Sequence, residues 1–104
     1  MNDGYRAETR LWRWAGGNGG DWFFVSIAGE AGEALSATAL MNRLESGRRA
    51  GWGSVKVDVE IGATRWWTSA FPSKSDGWIV PVKAAVRKAE GIGEGDAVVA
   101  MLRF

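Results

Sequence analysis

Apolar and polar positions alternate most cleanly between Val55 and Ile61, where Val55, Val57, Val59 and Ile61 are separated by Lys56, Asp58 and Glu60. A period of two marks a half-buried strand. The same reading gives a first strand over Tyr5 to Trp14, with Ala7, Thr9 and Leu11 on one face and Arg6, Glu8, Arg10 and Trp12 on the other. Trp22 to Ile27 forms a second strand, aromatic and β-branched. The run Ala15 to Asp21 between them, with four glycines and Asn18, is a hairpin connection. From Gly29 to Ser46 the period lengthens to that of a helix, with Leu35, Ala39 and Leu40 on one side, Leu44 continuing it and Gly47 as its stop. Gly62-Ala63 turns tightly into a strand over Thr64 to Ala70, and a loop follows through Pro72, Lys74 and Asp76. The apolar strand Trp78 to Val80 then meets Pro81, read as the first residue of a helix that runs to Glu90 and ends at glycine. A Gly-Asp turn launches the last strand, Ala97 to Phe104.

The two halves share this plan. Trp22-Phe23-Phe24-Val25 precedes the first helix as Trp78-Ile79-Val80 precedes the second, and each helix leads through glycines to an alternating valine strand. The repetition suggests an internal pseudo-twofold. Helices between strands could imply parallel βαβ units, but buried parallel strands read as continuous apolar runs, and Val55 to Ile61 alternates. A closed antiparallel barrel with helices over its ends fits better, and closure removes exposed strand edges. At 104 residues the chain is expected to be one domain, 1–104, with one modest core.

Leu11-Trp12-Arg13-Trp14, Trp22-Phe23-Phe24-Val25, Gly53-Ser54-Val55-Lys56-Val57, Trp67-Thr68-Ser69-Ala70-Phe71-Pro72 and Val80-Pro81-Val82-Lys83-Ala84-Ala85-Val86-Arg87-Lys88-Ala89 occur in that order. Together, over about residues 5 to 104, they resemble the bacterial and archaeal domain of unknown function 1905 family. The resemblance implies an α+β, mainly β fold: a single-domain, six-stranded double-split (pseudo) β-barrel capped by two helices. Trp78 to Val99 is in turn similar to the strand, Pro-led helix and Gly-Asp turn of the AbrB and MazE swapped-hairpin DNA-binding proteins, in which two chains complete one barrel. Where family members often carry a proline after the second strand, this chain has Ala28-Gly29, which implies a different entry to the first helix. The family supplies no activity.

Composition narrows the chemistry. Cysteine and histidine are both absent, which removes thiol nucleophiles, disulfides, thiolate and imidazole metal ligands and the usual general base near neutral pH. Thirteen Lys and Arg against twelve Asp and Glu leave a net charge of +1, with no general pull towards nucleic acid or anionic membranes. The N-terminus lacks the apolar core of a signal peptide, and no apolar run approaches the roughly 20 residues that span a bilayer. A cytoplasmic, bacterial-type protein is expected. Seven tryptophans are the unusual feature.

The candidate residues follow from that excess and from local charge. Arg48 and Arg49 beside Gly51-Trp52-Gly53 combine cations with an aromatic, a pairing used on single-stranded nucleic acid; Trp52 can equally close over the barrel end as a lid. Trp66 and Trp67 are adjacent and so point to opposite faces, one to the core and one to solvent. Trp12 and Trp14 share a face. Ser69 and Lys74 form a conceivable nucleophile and base, against the simpler reading of a strand end whose hydroxyls satisfy a loop. Lys83 and Arg87 lie at i and i+4 and could clamp a carboxylate or phosphate, or pair with acids such as Glu90 and Asp96. Asp58 with Glu60 is a weak metal hint, and Gly16-Gly17-Asn18-Gly19-Gly20 lacks the lysine of a nucleotide loop.

The sequence thus reads as a non-enzymatic binding module without cofactor or metal, a monomer or homodimer, off the membrane. It would receive a small anionic ligand, a peptide or a protein partner through Arg48, Arg49, Trp52, Trp66, Ser69, Lys74, Lys83 and Arg87. DNA binding of the AbrB kind is the alternative, and a Ser69 and Lys74 enzyme the lower one.

Overall fold

A computed structural model describes residues 4–15, 21–46 and 53–104. It contains strands β1 (Tyr5–Trp14), β2 (Trp22–Ile27), β3 (Val55–Ile61), β4 (Thr64–Ser73), β5 (Gly77–Pro81) and β6 (Ala97–Arg103), with helix α1 (Gly29–Ser46) before β3 and α2 (Ala84–Glu90) before β6. The strands close into an antiparallel barrel in the order β1-β2-β5-β4-β3-β6, so one chain completes the barrel.

The order contains the expected pseudo-twofold. Exchanging β1, β2, α1 and β3 for β4, β5, α2 and β6 turns each neighbour pair into another neighbour pair of the same barrel. The axis passes between β2 and β5, where Phe24 faces Pro81, Val25 faces Val80 and Ser26 faces Ile79. Mates therefore follow by register: the cross-strand pair Trp12 and Phe24 corresponds to Phe71 and Ile79, and Trp14 and Trp22 correspond to Ser73 and Gly77.

Alternation decides what lies inside. Leu11, Val25, Val57, Val59, Val80, Ala100 and Leu102 project into the barrel and are fully buried, and Trp66 and Trp78 add the two large rings of the core. The helices meet opposite ends of β2. At the Ile27 end, α1 inserts Ala31 and Leu35, and the Trp78 indole N–H donates to Ser36 Oγ at 3.0 Å. At the Phe23 end, α2 inserts Val86, and the Arg87 guanidinium lies 3.7 Å from the centre of the Phe23 ring. Tyr5 and Phe104 stack with ring centres 5.3 Å apart, which brings the beginning of β1 beside the end of β6.

Three expectations are corrected. Pro81 is the last residue of β5 and pairs with Phe24, rather than opening the second helix. The ladder continues past it, because the Val82 N–H donates to the Phe23 carbonyl at 2.8 Å; the helix starts only after Lys83, whose backbone is extended (φ −71°, ψ 162°). Secondly, β4 runs on through Phe71 and Pro72 to Ser73, paired with β5, where a loop was expected. Thirdly, Leu40 and Leu44 do not pack on the core: with Met41 they are exposed, because α1 extends beyond the barrel surface after Ala39. The entry to α1 is made by Gly29 at φ +63°, a left-handed conformation that proline cannot adopt. The stop at Gly91 is as expected, in the left-handed conformation with its N–H on the Arg87 and Lys88 carbonyls.

Candidate functional site

The outer faces of β1, β2, β5 and β4 form three rows across the strands. The middle row is Trp12, Phe24 and Pro81, and the row on its α1 side is Ser26, Ile79 and Phe71. Trp14 faces Trp22 in the row towards α2, and carrying the β2 and β5 register two residues past Phe24 and Pro81 places Lys83 opposite Trp22. The extended backbone of Lys83 supports that placement. Trp14 and Trp22 are 50% and 52% exposed, which is high for side chains with so much apolar area. Trp22 stacks on Phe24 at 6.4 Å and 15°, Phe24 packs on Trp12 at 5.0 Å, and the Trp12 indole N–H donates to Ser26 Oγ at 2.9 Å. Trp12, Phe24 and Trp22 thus hold one another in place, while Trp14 and Trp22 stay half in solvent.

Charge around these rows is uneven. Arg13, behind Trp12 and Trp14, is held by Asp21 at 2.9 Å and by Glu94 at 3.3 Å, and the hydrogen bond and charge of Asp21, then those of Glu94, raise its pKa above the ordinary guanidinium value. Lys83 is exposed and has no ion-pair partner among the described residues.

The outer face of β3, β4 and β6 carries a charged lattice instead. Asp58 is 2% exposed yet accepts from Arg65 Nε at 3.0 and 2.8 Å, and Arg103 Nη1 donates to Glu60 at 3.3 Å. The hydrogen bonds from Arg65 hold the Asp58 carboxyl below the usual carboxylate range, against the opposing effect of burial and with help from the charges of Arg65 and Arg103. Both acids of the weak metal hint are therefore committed to arginines, and among the described residues no group of three or more metal-ligating side chains occurs.

The sequence candidates distribute as follows. Trp66 is a core residue at 8% exposure and its neighbour Trp67 is outside at 69%, the opposition that adjacency requires. Ser69 is on the outer face opposite Lys56. Because β4 stays extended to Ser73, Ser69 and Lys74 are separated by five strand steps, about 16 Å. That is beyond the reach of a lysine amine and leaves no Ser-Lys dyad. Arg87 bridges α2 to the barrel, with Nε on the Val82 carbonyl at 3.2 Å and its plane over Phe23. Glu90 accepts from Thr64 and Asp96 accepts from the Gly93 N–H, so neither neutralises Lys83 or Arg87. Arg48, Arg49 and Trp52 lie outside the described residues, as does the glycine run 16–20. Of the five described candidates, Lys83 joins the row of Trp14 and Trp22, and carrying the β4 and β5 register two residues past Phe71 and Ile79 places Ser69 beside Pro81 in the middle row. Trp22 and Phe24 were missed as site residues, since only the hairpin register brings them beside Trp14 and Trp12. No helix among the described residues is long and apolar enough to cross a membrane.

Comparison with known proteins agrees with the resemblance read from the motifs. The family model described as "Domain of unknown function (DUF1905)" matches residues 8–102. No curated protein matches the chain.

Proposed function

We propose that this chain, which belongs to the DUF1905 family, is a non-enzymatic binding module that receives a protein segment on the outer aromatic rows of β1, β2 and β5. The row Trp14, Trp22 and Lys83 carries the reading: two half-exposed indoles, of which Trp22 is stacked on Phe24, and at the end an amine without an ion-pair partner among the described residues. Tryptophans fixed in this way lose little freedom on contact and are the residues that most often dominate an interface. The surface is the convex outside of a barrel, whereas small molecules favour concave sites, so a macromolecular partner suits it better. In the closed order every described strand already has a neighbour on both sides, which favours recognition through side chains over strand addition. The lysine favours a segment with an Asp or Glu next to its apolar contact residue.

Selection of a displayed random peptide library on the immobilised protein tests this. Enriched peptides are expected to pair an aromatic or aliphatic residue with an acid. Their affinity should fall about 100-fold in the Trp14→Ala, Trp22→Ala double variant, as two hot-spot side chains imply. Lys83→Ala should weaken them severalfold, and Trp67→Ala should leave them unchanged. Peptides that bind the double variant as well as the parent would overturn the reading. Fluorescence quenching by single-stranded DNA that collapses steeply with salt would favour nucleic acid instead.

A further inference from the structure

The pseudo-twofold places a second location in correspondence with the aromatic row. Trp14 and Trp22 have Ser73 and Gly77 as mates, and continuing the β2 and β5 register past Ile27 and Trp78 gives Lys83 the mate Ala28. Arg87, fourth residue of α2, corresponds to Gly32, fourth residue of α1. Four large aromatic or cationic side chains at one location, two from each half, thus correspond to four of the smallest residues at the other. At that location there is a groove of about 440 Å³, lined among others by Ala28, Gly32, Glu33, Ser73, Gly77 and Trp78.

Small residues there are demanded by close backbone approach as well as by symmetry. A Cβ on Gly77 would lie 2.8 Å from the Ile27 carbonyl oxygen, and Gly77 has φ +73°. A Cβ on Gly32 would lie 2.9 Å from the same oxygen. The groove floor is therefore backbone and the edge of Trp78. Its one charged lining residue is Glu33, exposed and without an ion-pair partner among the described residues. Ser36, which already accepts from the Trp78 indole, retains its own O–H to donate.

From these observations we propose that the groove between the start of α1 and the β4 and β5 hairpin is a small-molecule site for an aromatic amine. A flat apolar body lies in the groove beside Trp78, at the location that corresponds to the Trp14 and Trp22 row, and the ammonium group pairs with Glu33. The site is separate from the aromatic rows, and it stands or falls independently of the protein-binding reading.

Tryptamine and indole-3-propionate, which share a ring and differ in the sign of their charge, are the probes, titrated into isotope-labelled protein and followed by NMR. Tryptamine is expected to shift the Trp78 indole N–H and the Gly77 amide, and to bind about tenfold or more tightly than indole-3-propionate, as a charge-assisted contact implies. Glu33→Gln should erase that preference. Ser73→Trp, which installs the side chain its mate carries at Trp14, should block both probes. Equal binding of the two probes, shifts confined to Trp14 and Trp22, or no shift at all would each overturn the proposal. Glu33 is exposed, so its variant keeps the test decisive if Ser73→Trp fails to fold.

Discussion

The half built from β1, β2, α1 and β3 and the half built from β4, β5, α2 and β6 have corresponding strand pairings; inward, their mates match along the axis but differ in size on β1 and β4, where Leu11 has the mate Ala70 and Ala7 the mate Trp66. Val25 and Val80 are mates and both fully buried, as are Ile27 and Val82, and Ala31 of α1 corresponds to Val86 of α2. Outward the halves part. One ends its hairpin in Trp14 and Trp22, the other in Ser73 and Gly77; one helix has 18 residues, the other seven. Closure of a small barrel limits the total volume inside, so a large interior side chain in one half is offset by a small mate in the other. No such limit acts outside. Both sites proposed above lie at outer positions where the halves diverge.

The comparison can be broken most sharply at its axis. Val25→Ala and Val80→Ala remove equal side chains from equivalent buried positions, and each is expected to cost about 2–3 kcal/mol in urea unfolding, from lost burial plus a residual cavity. A difference above about 1 kcal/mol between them would show that the interior is less symmetric than its register. A smaller effect is expected on the charged face, which has no counterpart in the other half, because the register makes Val99 the mate of Asp58. Asp58→Asn should cost about 1–2 kcal/mol at pH 7, the low end because the Arg65 side chain is 59% exposed. The folded pKa of Asp58 is depressed, so its contribution is present above the unfolded value of about 3.9 and is lost as pH falls through the folded value. The gap between parent and variant should accordingly close on acidification; a gap constant from pH 7 to pH 3 would remove Asp58 from the acid limb. The smallest effect is expected for Leu44→Ala, within about 0.5 kcal/mol, since Leu44 is 66% exposed at the overhanging end of the longer helix. A loss near 2 kcal/mol would mean that this end is covered in solution.

Strand alternation carried most of the fold. The inward sets of β1 and β3 are legible because polar residues separate them, and Gly62-Ala63 and Gly91 mark real reversals. The errors have local physical causes. Pro81 satisfies the sequence signal for a helix start, but the last residue of a strand also tolerates a missing N–H, and Val82 restores the ladder behind it. Leu40 and Leu44 repeat at helical spacing, yet periodicity cannot report that the barrel surface ends before them. Asp58 reads as a solvent-facing residue and is buried, because Arg65 is brought over it from the neighbouring strand. The candidate sites were less legible still. Trp14 comes opposite Trp22, and Lys83 opposite Trp22 from the other side, only through registers that span 8 and 61 residues of sequence. The groove is defined by side chains that are missing, and small residues carry little signal until their mates are known.

The stacked rings of Tyr5 and Phe104 have a bearing on how the protein could be handled. Because β1 and β6 are neighbours, the start of β1 and the end of β6 lie side by side, about 30 Å along β1 from Trp14. A barrel whose first and last strands adjoin suits grafting of residues 5–104 into a surface loop of a host protein, or joining of those two strands by a short peptide in a circular permutant. In either format the tryptophan tip would point away from the graft, free to report on whatever approaches it.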